Sequence, residues 1–135
     1  MDRRGQVTRI LLDTHAFIWW LAGDELLSLR ARAAIADPAA EVLVSAATSW
    51  EIATKVRLGK LAGMQEAARD MAATIRAHGF EPLDITVEDG QRAGNLKGAH
   101  KDPFDRMLIA QALRLDIPLI SNEVVFGDYG IHRLW

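Results

Sequence analysis

Four acidic residues fall where short apolar runs give out. Asp13 closes "TRILL", Glu51 lies in the stretch that follows "EVLVS", Asp105 sits at the head of "DPFDRMLIAQA", and Glu123 stands two residues past "IPLIS". Carboxylates from four separate segments, if they meet at one place, repel one another, which raises some of their pKa values or demands a cation. The chain has no cysteine and no H-x-x-x-H pair, so its ligands are hard oxygens, which favour Mg²⁺ or Mn²⁺ over Zn²⁺. Such a site hydrolyses phosphodiesters: a water is activated, charge on the phosphate is neutralised and the leaving oxygen is held.

Each acid also has an ordinary role open to it. Asp13 suits the N-cap of a helix after a strand. Glu51 completes an S/T-x-x-E capping pattern with Thr48 in "TSWE". Glu123 fits a solvated turn, as does Asp128 in "GDYG". Asp102 and Asp105 flank Pro103 in the order a helix N-terminus prefers: cap, a proline whose missing N–H costs nothing, and an acid complementing the helix dipole.

The elements that must position these acids alternate in type. Residues 8–12 read as a buried strand, helical spacing runs from 16 to 21, Ser28 caps "LRARAAIA" as far as Asp37-Pro38, and residues 41–45 read as a second strand. "AATSWEIATKVRLG" is a helix closed by Gly59, and a second helix spans about residues 64–78, closed by Gly79. "FEPLDI" is a weak third strand, Thr86 caps the short helix "VEDGQRAG", "NLKGAHK" is a loop, Asp102 opens the next helix, residues 117–121 form a fourth strand and "IHRLW" a short terminal one. Helices alternating with short apolar strands predict an α/β fold with a mostly parallel sheet covered on both faces. Ligands of such sheets bind beyond the carboxyl ends of the strands, where the four acids lie.

The bulk composition bounds the alternatives. With 135 residues, half of them apolar and a quarter charged, the chain reads as one compact domain over residues 1–135. No run reaches the length of a membrane span and no cleavage pattern follows the early Arg pair, so a soluble cytoplasmic protein is expected. A net charge of −2 gives no global field for polyanions, so nucleic-acid contact must rely on local basic patches.

Four stretches carry a resemblance to a known family. "LLDTHAFIWWL", "VSAATSWEIATKVRLGKL", "HKDPFDRMLIAQA" and "PLISNEVVFGDYGIHRLW" resemble, in order and over nearly the whole chain, the VapC type of PIN-domain ribonuclease, the toxin half of a bacterial toxin–antitoxin pair. The resemblance implies a PIN-like three-layer α/β/α fold and a Mg²⁺ or Mn²⁺ site whose acids fall on Asp13, Glu51, Asp105 and Glu123. Asp102 is then the cap that supports the site, with Ser121 and Thr14 beside it. Where the family usually reads Thr-x-Asp, this chain reads Ser121-Asn122-Glu123: the hydroxyl is kept and the last acid is one methylene longer. Because Mg²⁺ often keeps several waters, Glu123 can act through one. The implied activity is endoribonucleolytic cleavage of structured RNA, tRNA or rRNA; the implied partners are a VapB-like antitoxin and a second copy of the chain.

Other residues fit this reading without carrying it. His15 and His100 lie near the proposed rim, and Arg3, Arg4, Lys55, Arg57, Lys97, Lys101 and Arg106 are candidates for a local phosphate-binding surface. Trp19, Trp20 and Trp50 are expected to divide between the core and a partner-binding patch. The rival reading is a non-catalytic PIN-like module that binds a partner, its fourth acid having drifted. A receiver-type metal-binding domain fits less well, for want of a convincing lysine after the last strand.

Overall fold

A computed structural model of the chain describes residues 8–98 and 100–135. Its strands are β1 (Thr8–Leu12), β2 (Ala40–Ser45), β3 (Glu81–Leu83), β4 (Leu119–Ile120) and β5 (Arg133–Leu134). The helices are α1 (Thr14–Ala22), α2 (Leu29–Ala36), α3 (Ala46–Arg57), α4 (Gln65–Arg69), α5 (Met71–Ala77), α6 (Val87–Asn95) and α7 (Pro103–Leu115), with a 3-10 helix over Val124–Tyr129. The strands form one parallel sheet in the order β3-β2-β1-β4-β5.

Alternation along the strands divides the core into two layers. Ile10, Leu12, Val42, Val44 and Ile120 point to one face, where they meet Phe17 of α1, Ala31 and Ile35 of α2, Ile52 of α3 and Ile75 of α5. Leu11, Leu43 and Leu119 point to the other, against Leu108, Ile109 and Ala112 of α7 and Phe126 of the 3-10 helix. The expected three-layer α/β/α arrangement is therefore present, the period of two in each strand having sorted its residues between the layers.

Sheet order fixes where a site can form. The chain winds outward from β1 through β2 to β3, then returns to the other side of β1 for β4 and β5, so the topological switch lies between β1 and β4. Leu12 is in register with Ile120, and the Asp13 N–H donates to the Ile120 carbonyl at 3.1 Å. A helix that precedes a parallel strand runs back along it, which brings the first turn of α7 to the same carboxyl edge.

Three expectations are corrected. The helix expected over 64–78 breaks at Asp70, whose extended backbone (φ −149°, ψ 84°) starts α5 and whose side chain accepts from the Ala73 N–H. Asp competes with a continuous helix in this way because its short carboxylate caps a new one. The fourth strand is shorter than 117–121: the Ile117 N–H still bonds the Ala112 carbonyl of α7, and Pro118 has no N–H to offer the sheet. Residues 124–129, including Asp128, wind into the 3-10 helix rather than a plain turn. Among the described residues, no helix is long and apolar enough to cross a membrane.

Candidate active site

Asp13 is both an ordinary cap and a buried acid. Its backbone is extended, its Oδ1 accepts from the Ala16 N–H at 2.7 Å, and the residue is 3% exposed. Burial pushes its carboxyl up from 3.8 to about 6; hydrogen bonds from Ser121 and Ala16 and the nearby His15 pull against that rise, while the charge of Glu123 adds to it. Ser121 is wholly buried, and its Oγ also accepts the Glu123 N–H at 3.0 Å.

Glu51 projects from the buried face of α3. No capping box forms with Thr48, because Ser45 is the N-cap of that helix, accepting from the Ala47 N–H. The Glu51 carboxylate instead reaches across to α1, where the Thr14 hydroxyl donates to it at 2.7 Å, and its second oxygen takes the Lys55 ammonium. Thr14 has spent its one proton on Glu51, so the Thr48 hydroxyl, 3.2 Å away, is the donor to Thr14.

Asp102 and Asp105 separate by role. Asp102 Oδ1 accepts from the N–H groups of Phe104 and Asp105 at 2.9 and 3.0 Å, with Pro103 as the first helical residue. Asp105, one turn in, is free of that duty; its Oδ2 lies 2.8 Å from His100 Nε2. Burial pushes its carboxyl up to about 6, His100 pulls it down, and the charges of Asp102 and Glu123 push it up further. Glu123 is the N-cap residue of the 3-10 helix, but its side chain makes no cap bond, and its carboxylate lies 3.7 Å from His15 Nδ1.

The charge of Glu123 acts on both Asp13 and Asp105, and Thr14, the residue after Asp13, donates to Glu51. The structure does not gather the acids into a ready coordination set: among the described residues no three His, Asp or Glu side chains are arranged to hold a metal ion. Glu51, Asp105 and Glu123 each lean on a Lys or His of the chain itself. The donor chemistry still fits a hard divalent cation, since every donor is oxygen and two of the carboxyls are pushed up by burial and by neighbouring acids, a strain that a cation relieves.

Several roles differ from those expected. Arg106 does not offer its guanidinium to phosphate; it donates to the carbonyls of Ala93, Leu96 and His100 and so ties the loop before α7 to α6. Arg57, Lys97 and Lys101 are exposed, whereas Arg3 and Arg4 lie outside the described residues. Trp19 packs edge-on against Trp135, and Trp20 sits against Phe80 while donating to His78. Trp50 is 60% exposed beside Phe104. Gln111, wholly buried, accepts from the Ser45 hydroxyl and donates to the Asp84 carbonyl, locking α7 to the end of β2. A lone amide within "MLIAQALRL" was the available signal for it.

The family model described as PIN domain matches residues 10–131. Comparison with curated proteins found no match. Solved structures with the same fold include VapC20 of Mycobacterium tuberculosis, described as a sarcin-ricin loop cleaving toxin (19% identity, 90% of this chain and 95% of that one, TM-score 0.65). VapBC2 of Rickettsia felis, bound to a DNA fragment from its promoter, matches at 15% identity over 93% of this chain and 97% of that one, TM-score 0.63. VapBC-1 of nontypeable Haemophilus influenzae matches at 16% identity over 93% and 96%, TM-score 0.59.

Proposed function

The chain belongs to the PIN-domain family, and from that premise we propose that it is a Mg²⁺- or Mn²⁺-dependent endoribonuclease, a single domain over residues 1–135 and the toxin half of a toxin–antitoxin pair. The observation that carries this reading is the placement of Asp13 and Glu123 just beyond the carboxyl ends of the paired strands β1 and β4, on either side of the topological switch, with the Asp13 N–H bonded to the Ile120 carbonyl.

Asp13, Glu51, Asp105 and Glu123 are the residues that hold the cation in this reading. When bound, the cation supplies positive charge for the phosphate oxygens and for activating a water. Ser121, which lowers the Asp13 carboxyl, also takes the Glu123 N–H, Thr14 donates to Glu51, and Asp102 caps the first turn of α7 that carries Asp105. The substrate in this reading is a splayed, single-stranded loop of tRNA or rRNA, with the exposed Arg57, Lys97 and Lys101 as candidate phosphate contacts. The expected partners are a VapB-like antitoxin and a second copy of the chain, and the exposed Trp50 is a candidate contact; the expected compartment is the cytoplasm.

The test is incubation of the purified chain with total RNA in EDTA, Mg²⁺ or Mn²⁺. Cleavage that requires a divalent ion and is lost in Asp105→Asn supports the reading. Equal RNA patterns under all conditions overturn it in favour of a module that only binds a partner.

A further inference from the structure

Of the four acids, Glu51 is the one already matched by a lysine. Its Oε1 takes the Thr14 hydroxyl and its Oε2 the Lys55 ammonium, one turn further along α3. Pairs at this spacing are weak when both partners are in water. This one is asymmetric: the Glu51 side chain is 5% exposed and the Lys55 side chain 38%. A carboxylate out of water needs a cation beside it. A lysine on the end of four methylenes at the surface regains its hydration by rotating outward. Glu51 therefore depends on a cation far more than Lys55 depends on Glu51.

We propose that Lys55 is a displaceable internal cation, which holds the Glu51 carboxylate until a divalent ion takes its place and then turns outward to meet the phosphate backbone of the RNA. The inference rests on the metal-dependent reading above. An ammonium left beside a divalent ion is repelled by it, whereas an ammonium that leaves exchanges one compensated state of Glu51 for another.

The test reads stability rather than cleavage, by melting the full chain over a Mn²⁺ titration. Lys55→Met is expected to melt lower than wild type without Mn²⁺, and to reach half of its Mn²⁺-induced shift at a concentration roughly tenfold lower, because the competing charge is gone. Lys55→Arg, which keeps the charge, is expected to half-saturate near the wild-type concentration. Should Lys55→Met fail to fold, Lys55→Gln removes the charge while keeping a hydrogen-bond donor, and reads the same quantity. If wild type responds to Mn²⁺ and the neutral variant needs as much or more of it, Lys55 is a fixed support of Glu51 and the exchange is wrong. If neither protein responds, the metal site itself is overturned and the exchange with it.

Discussion

Replacing Asp13 by Asn should make the chain more stable at neutral pH while abolishing cleavage. Burial moves the Asp13 carboxyl from 3.8 to about 6, and a difference of about two pH units is worth roughly 3 kcal/mol against the folded state once both forms are ionised. The cap survives the change, since Asn serves an N-cap about as well as Asp and its Oδ1 can still accept from Ala16. Ser121, which favours the carboxylate, meets an amide instead, which takes back about 1 kcal/mol of the gain. The net is a stabilisation of about 2 kcal/mol, or a melting temperature higher by about 8 °C for a chain of this size. The sign with pH follows from the direction of the shift. An acid whose pKa is raised on folding destabilises the folded state above about 6 and contributes nothing below 3.8. The advantage of Asp13→Asn should therefore be full near pH 7.5, shrink as pH falls through this window, and turn into a deficit of about 1 kcal/mol towards pH 4. Urea denaturation of both proteins at pH 7.5, 6 and 4.5, in EDTA, measures it. A variant no more stable than wild type at pH 7.5, or a gap constant with pH, refutes the account of Asp13 as a buried, destabilised acid.

Asp105→Asn should remove both cleavage and most of the Mn²⁺-induced rise in melting temperature, whereas Asp102→Asn should retain much of each, because Asn still caps α7; equal losses would make Asp102 a ligand. Glu123→Gln removes the charge that raises both Asp13 and Asp105, so the chain in EDTA should gain stability of up to about 1 kcal/mol, and its Mn²⁺-induced shift should shrink; an undiminished shift would take Glu123 out of the site. Away from the acids of the rim, burial pushes the Asp89 carboxyl up, but the Arg114 guanidinium and the Thr86 backbone outweigh it and hold it below the usual carboxylate range. Asp89→Ala should thus destabilise the chain by roughly 3 kcal/mol in urea denaturation with the Mn²⁺ half-saturation unchanged, and a changed half-saturation would couple α6 to the site.

Much of this arrangement was legible because strand ends are set by local chemistry. Asp13 and Asp102 announce themselves as caps, and the apolar runs before Asp13 and before Glu123 place both acids at a carboxyl edge without any knowledge of pairing. What spacing could not supply was the choice between two local bonds for one side chain. "TSWE" satisfies a capping pattern, yet Glu51 spends its carboxylate on Thr14, a residue 37 positions away in sequence. Arg106 follows Asp105 in "DPFDR" and looks like a phosphate ligand, but three carbonyls of the preceding loop and of α6 claim it. The break at Asp70 was hidden for a related reason: residues on both sides keep a helical period, and only the cap bond to Ala73 shows that the period restarts.

The position of β4 has a consequence for synthesis. Strands β1, β2 and β3 pair with one another from residues 8–83 alone, leaving the far edge of β1 bare, with the Leu11 and Asp13 N–H groups awaiting the carbonyls of Pro118 and Ile120. A nascent chain on the ribosome can assemble that half-sheet early, since its contacts are comparatively local. It cannot orient Asp13 until Ser121 has emerged, nor set Glu123 against Asp13 and Asp105. On the reading proposed above, a site assembled in this order stays incomplete until residues 121–123 have left the ribosome and β4 has docked on β1.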